Sequence, residues 1–230
     1  MAAPSNRLLG ALSSVDLAIL TPHLQPVALP LRYDLERSQR RIENVYFMEA
    51  GIASVVAQQG DQTEVEVGLI GFEGMSGIAV LLGADQTPQA TYMQVAGEGR
   101  KISVRQFRAA LQSSETMAAV FLRYVHVFLM QTSQTAIANA RCPLARRLAR
   151  WILMAQDRTR VSELPLTHEF LSLMLGVRRP GVTETLQMLK KQKLIETARN
   201  LIVVRDRKAL QKLAGAAYGA PEQEYRRLIG

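Results

Sequence analysis

The sequence predicts an α+β chain: an antiparallel β domain first, one long helix next, and a winged helix-turn-helix last. Three observations predict it. Between Val27 and about Val104, short alternating apolar runs are broken by glycines at spacings of about 8–12 residues, the habit of a barrel or sandwich rather than a parallel sheet. From Ser113 to Cys142 there is neither proline nor glycine. From Leu166 the segment LTHEFLSLMLGVRRPGVTETLQMLKKQKLI places two amphipathic stretches on either side of a glycine turn. The 230 residues suffice for one large domain or two small ones with a core of their own. The expected division is a β domain over 1–112, a long helix over 113–140, a basic domain over 141–214 and a weakly ordered tail over 215–230.

Val45-Tyr46-Phe47-Met48 and Ile52-Ala53-Ser54-Val55-Val56 read as successive strands around Gly51, and Gln59-Gly60-Asp61 reads as a turn. Glu64-Val65-Glu66-Val67 alternates strictly, as a half-buried strand does. Gly68, Gly71, Gly74 and Gly77 follow in a dense cluster, and then comes the run Thr91-Tyr92-Met93-Gln94-Val95. No phosphate-binding loop or dinucleotide fingerprint is present in this half.

Ser113-Ser114-Glu115 supplies hydroxyls to cap the long helix and an acid for its first turn. Through Met130 the helix is apolar on almost every side. One face covers the β domain and the opposite face needs a second partner, most simply the same helix of another subunit. Val120, Tyr124, Val127 and Phe128 are the candidate dimer residues. The helix should stop at Cys142, because the residue before Pro143 avoids the helical region, and a new helix should run from Leu144 to about Gln156. The junction is a candidate hinge.

Thr167 is placed to cap the first helix of the helix-turn-helix, with Glu169 in its first turn. Gly176 ends it, Val177 packs between the two helices, and Pro180 opens the second. Leu194–Thr197 and Leu201–Val204 form a hairpin wing with Arg199 near its tip, and Asp206 caps a short helix to about Ala214. In such a module the N-terminal residues of the second helix reach base edges in the major groove, which nominates Arg178, Arg179, Thr183 and Glu184. Thr167, Lys190, Lys191, Lys193 and Arg199 are assigned to phosphates. Arg146, Arg147 and Arg150 either brace the hinge helix or touch phosphate.

Charge supports this division. Residues 1–140 carry 10 Lys/Arg against 12 Asp/Glu, whereas residues 141–214 carry 16 against 6, a net of +10 in a chain of net +8. Only the second part therefore suits a polyanion, and double-stranded DNA is the expected partner. The single cysteine, Cys142, excludes a disulfide framework and any all-cysteine metal cluster within one chain. His23, His126 and His168 stand far apart, so neither metal nor cofactor is expected. No apolar run is long enough to span a membrane, and MAAPSNRLLGALSSVD lacks the apolar core of a secretory signal, so the expected location is the cytoplasm. An enzymatic β domain would need clustered His and carboxylates, and no His follows His23 there. The remaining alternative is a ligand-binding β domain whose winged helix binds protein rather than DNA.

With these residues in order, the chain resembles the Crp-Fnr family of bacterial transcription regulators. The resemblance rests on Val45-Tyr46-Phe47 through GFEGMSG (71–77), on the helix 113–140, and on LGVRRPGVTETLQMLKKQKLI. It implies a jelly-roll β-roll of the cyclic-nucleotide-binding type, a homodimer on a two-fold operator, an effector signal carried through the dimer helix, and RNA polymerase as a further partner. Candidate effector-pocket residues are Gly71, Gly74, Met75, Ser76 and Gly77, with Thr132 and Ser133 at the positions that resemble an adenine-contacting pair.

The departures are specific. Met75 stands where cyclic-AMP binders of the family carry a ribose-holding Glu, and no Lys or Arg occurs from Gly74 to Gly99 to meet a buried phosphate. Control by cyclic AMP is therefore not expected, and the effector is unknown. The family's oxygen sensors use four cysteines, against one here. As haem ligands His23, His126 and Cys142 each read as structural instead. In the recognition helix Pro180 and Glu184 replace the Glu and the last Arg of the Arg-Glu-x-x-x-Arg pattern, so the operator should differ from that of the cyclic-AMP receptor.

Overall fold

The computed structural model describes residues 5–59, 63–159 and 163–230. Of the turn expected at Gln59-Gly60-Asp61, Gly60 and Asp61 lie outside the described residues. Two short helices, α1 (Arg7–Gly10) and α2 (Ser14–Leu20), precede the β domain. Its strands are β1 (Gln25–Leu29), β2 (Asp34–Glu36), β3 (Asn44–Met48), β4 (Ile52–Gln59), β5 (Thr63–Ile70), β6 (Ala90–Val95) and β7 (Gly97–Ser103), with the one-turn helix α3 (Ile78–Leu81) between β5 and β6. They form two antiparallel sheets, ordered β1-β7-β3 and β2-β6-β4-β5. Leu29, Met48, Ile70 and Met93 fill the space between the sheets. Helix α4 (Val104–Ser113) closes one end, where Phe47, Phe107 and Phe121 stack with ring centroids 5.4–6.1 Å apart.

The long helix α5 spans Glu115–Arg141. Ser114 caps it by accepting from the Met117 amide, and the chain turns extended at Cys142, as the following proline requires. At about 1.5 Å per residue it is about 40 Å long. The structure corrects the choice of its faces. Tyr124, Val127 and Phe128 are buried against the β domain, and Val120 packs beside them. The face left open carries Ala119, Leu122, His126, Leu129, Ser133, Ala136 and Ala140, spaced alternately three and four residues apart.

Helix α6 (Leu144–Thr159) follows the Cys142-Pro143 junction and runs three residues beyond its expected end. The C-terminal domain then adds β8 (Glu163–Leu164), α7 (His168–Leu175), α8 (Arg179–Lys191), the wing strands β9 (Ile195–Ala198) and β10 (Leu201–Val204), and α9 (Arg207–Ala214). The strands pair antiparallel in the order β8-β10-β9. Leu148, Ile152, Leu171, Val182, Leu186 and Leu210 are among the buried residues of its core, which reaches Ile52 and Leu69 of the β domain.

The weakly ordered tail expected over 215–230 is instead a helix, α10 (Ala220–Leu228). Gly219 opens it at φ +111°, and the Glu222 carboxylate accepts from the Gly219 amide at 3.1 Å. Its Tyr225 is buried against the core under α5 and donates to the Glu73 carbonyl at 2.8 Å. Among the described residues no helix is long and apolar enough to cross a membrane.

Candidate functional site

The helix-turn-helix is built by local chemistry. The Thr167 hydroxyl accepts from the Phe170 amide at 3.1 Å and starts α7. Gly176 ends it in the left-handed region, φ +59° and ψ +42°. The chain is extended at Arg178, and Pro180 sits in the first turn of α8, where its missing N–H costs nothing. Val182, Leu186 and Leu189 turn inward. The opposite face, with Arg178, Arg179, Glu184, Lys190 and Lys191, is exposed, and Lys193 and Arg199 are exposed beyond it. Asn200, at φ +58°, makes the tight turn of the wing beside Arg199.

Thr183 differs from its neighbours. Its hydroxyl donates to the Arg179 carbonyl at 3.1 Å and meets His168 Nδ1 at 3.0 Å, so it ties α8 to the start of α7. The arginines of α6 separate as well. Arg147 donates to Asn139 Oδ1 at 3.0 Å and to the Leu175 carbonyl. Arg150 is buried and donates to the Gln131 carbonyl and to Thr135 Oγ1 on α5, at 3.3 and 3.0 Å. Both tie α6 back to α5 across the Cys142-Pro143 junction; Arg146 remains exposed.

The two domains are latched by buried polar groups that sequence reasoning missed. Trp151 Nε1 donates to Glu66 Oε1 at 2.6 Å, and Ser54 donates to Glu66 Oε2 at 2.6 Å. Burial pushes the Glu66 carboxyl up to about 7 against the pull of both hydrogen bonds and of Arg150 and Arg158. Arg158 pairs with Glu73 at 2.8 Å and donates to the Leu69 carbonyl at 3.3 Å. Burial opposes its charge, but Glu73, Glu222 and Asp157 hold its pKa above the ordinary value. Gln131 of α5 completes the joint by bonding both the amide and the carbonyl of Leu69, at 2.6 and 3.1 Å.

A cavity of about 380 Å³ lies inside the β domain against α5. Of the effector-pocket candidates, Ser76 and Thr132 line it, and the Gly77 amide points to Glu36 on its wall. The other candidates are corrected. Gly71 lies against Arg158, and Gly74 against the Tyr124 ring, so tightly that a Cβ on either would clash. Met75 is fully buried in the core beneath α5, and Ser133 is exposed, with its hydroxyl on the Leu129 carbonyl at 2.8 Å. Glu36 carried no sequence signal, because a lone acid in a short strand reads as a solvated one. Among the described residues no cluster of three His, Cys, Asp or Glu is placed to hold a metal.

This architecture has close parallels. Residues 146–213 match the Crp-like helix-turn-helix domain. The chain has a Crp-Fnr-type transcription-regulator fold. FixK2 of Bradyrhizobium japonicum superposes with a TM-score of 0.72 at 16% identity, over 85% of this chain and 99% of its own. A putative transcriptional regulator of the Crp/Fnr family from Eubacterium rectale gives 0.69 at 15% identity, over 90% and 97%. CLP of Xanthomonas campestris, described as a c-di-GMP-responsive global regulator, gives 0.68 at 17% identity, over 84% and 99%. Among curated proteins none matches.

Proposed function

We propose that the chain is a sequence-specific DNA-binding transcription regulator that acts as a homodimer on a two-fold-symmetric operator, and that cyclic AMP does not control it. The observation that carries this is the exposed face of α8. Arg178, Arg179 and Glu184 stand at the end that enters the major groove, with Lys190, Lys191, Lys193 and Arg199 around it for phosphates. Thr167, at the start of α7, is assigned to a phosphate, and Thr183 to base edges from α8, its hydroxyl turning from the Arg179 carbonyl to do so. The open stripe on α5 supports the dimer: residues alternately three and four apart form a seam that a second copy of the same helix would complete. The cavity of the β domain has no lysine or arginine among its lining residues, so a cyclic phosphate would enter without a cation.

Selection of the purified chain against a random duplex library tests the reading. The expected result is an inverted repeat with half-sites about 34 Å apart, or one helical turn. Arg178→Ala and Arg179→Ala should each relax preference at one base pair per half-site, at a cost of about 1–3 kcal/mol. Lys190→Ala should weaken all sequences alike. Binding that is unaffected by salt, or by all three substitutions, would refute the assignment.

A further inference from the structure

We propose that the β-domain cavity binds a small, largely apolar molecule bearing an amine or similar strong hydrogen-bond donor, and that it excludes phosphates and carboxylates. Its size, about 380 Å³, lies within the range of small-molecule sites. Val55, Val67 and Ile70 of the sheet, Ile78 of α3, and Phe128 and Leu129 of α5 make most of its wall apolar. The polar lining residues are Glu36, Ser76, Thr87, Gln89, Thr91 and Thr132.

Glu36 decides the sign of charge. It is 9% exposed, and its Oε1 accepts from the Gly77 amide at 2.5 Å. Gly77 stands at φ +80°, with Val45 where a Cβ would be, so the position belongs to glycine and the amide is held in place. The amide and the Ser76 hydroxyl, groups that would receive an incoming anion, are thus already bonded to the chain's own carboxylate. Any second anion would lie beside Glu36 with no lining cation to offset it. A carboxylate offers about four acceptor positions, so with two taken Glu36 still receives a donor. Burial raises its pKa from the ordinary value, and an ammonium brought alongside would offset that burial.

The test uses the full chain and four probes: 2-phenylethylamine, 2-phenylethanol, phenylacetate and cyclic AMP. Binding is read by calorimetry and by thermal shift at concentrations up to about 10 mM, where ligands of this size register. The expected result is binding of the amine at least tenfold tighter than the alcohol, and none of phenylacetate or cyclic AMP. Glu36→Gln, which keeps the acceptor for Gly77, should abolish the preference for the amine over the alcohol while leaving the alcohol bound. Ala79→Phe, which fills the cavity from α3, should abolish binding of both. Tighter binding of either anion, an amine preference that survives Glu36→Gln, or no binding of the amine would each overturn the proposal. No DNA enters the assay, so a failure with the amine or with phenylacetate leaves the proposed DNA-binding function standing, and tight cyclic AMP binding would strike only its clause on cyclic AMP.

Discussion

At the scale of single residues, Glu66 shows how packing overrides a pattern. Its place in Glu64-Val65-Glu66-Val67 reads as the outward side of a half-buried strand. Helix α6, far along the chain, covers that side with Trp151, so the glutamate becomes a buried acceptor. No local signal announces this, because the partner lies 85 residues away. The consequence is measurable. The folded-state pKa of about 7 lies above the ordinary 4.5, so folding favours the protonated form. That contribution is complete below pH 4.5 and is lost as pH rises through 7; it amounts to about 3 kcal/mol. Glu66→Gln keeps an acceptor for Trp151 and carries no charge. Urea unfolding of the variant should therefore lack this pH dependence, and at pH 8 the variant should be more stable than the parent by up to about 3 kcal/mol. Parallel stability curves for the two proteins between pH 4.5 and 8 would show that Glu66 does not titrate in this range.

At the scale of elements, the helix-turn-helix was legible and α10 was not, and the same residue types explain both. Gly176 and Pro180 punctuate two strongly amphipathic stretches, so their roles as stop and start follow from the sequence. Gly219 and Pro221 lie among few apolar residues and read as breakers, yet here they serve as cap and first turn. What makes α10 a helix is its dock. Tyr225 inserts under α5, and Glu224 bonds His126 at 3.2 Å and Arg227 at 2.6 Å. Tyr225→Ala should then cost about 3 kcal/mol and unseat the helix. Tyr225→Phe, which loses only the bond to the Glu73 carbonyl, should cost about 1 kcal/mol. Thermal unfolding followed by circular dichroism checks both, and a Tyr225→Ala protein as stable as the parent would mean that the dock contributes nothing. Gly176→Ala makes the matching test of the turn. A Cβ there comes no closer than 3.5 Å, to Val65, so the expected loss of about 1 kcal/mol is the left-handed backbone alone.

At the scale of the whole molecule, one helix serves two cores. The sequence shows α5 apolar on nearly every side, which predicts two partners but not which side meets which. The β domain takes Phe121, Tyr124, Val127 and Phe128, and the residue types alone could not have assigned them, since leucines stand equally on the other face. What remains is Leu122, 49% exposed, with Leu129 and Ile137, each 55% exposed, set among small residues that let two helices approach closely. Leu129 also walls the β-domain cavity, so a molecule bound there touches the helix that would carry the dimer. Replacing both leucines by glutamate removes roughly 2 kcal/mol of apolar burial for each side chain and sets like charges across the two-fold axis. Since neither leucine is buried within the chain, the fold should survive. Sedimentation should show a folded monomer, and its thermal midpoint should be lower than the parent's and independent of protein concentration, because the lost dimer no longer stabilises the native state. On an operator selected by the parent, the variant should bind far more weakly. The slope of log affinity against log salt should fall to about half, because each complex then neutralises the phosphates of one half-site instead of two. A variant that stays dimeric would move the interface off this seam, and one that is monomeric yet keeps the full slope would separate operator binding from dimerisation.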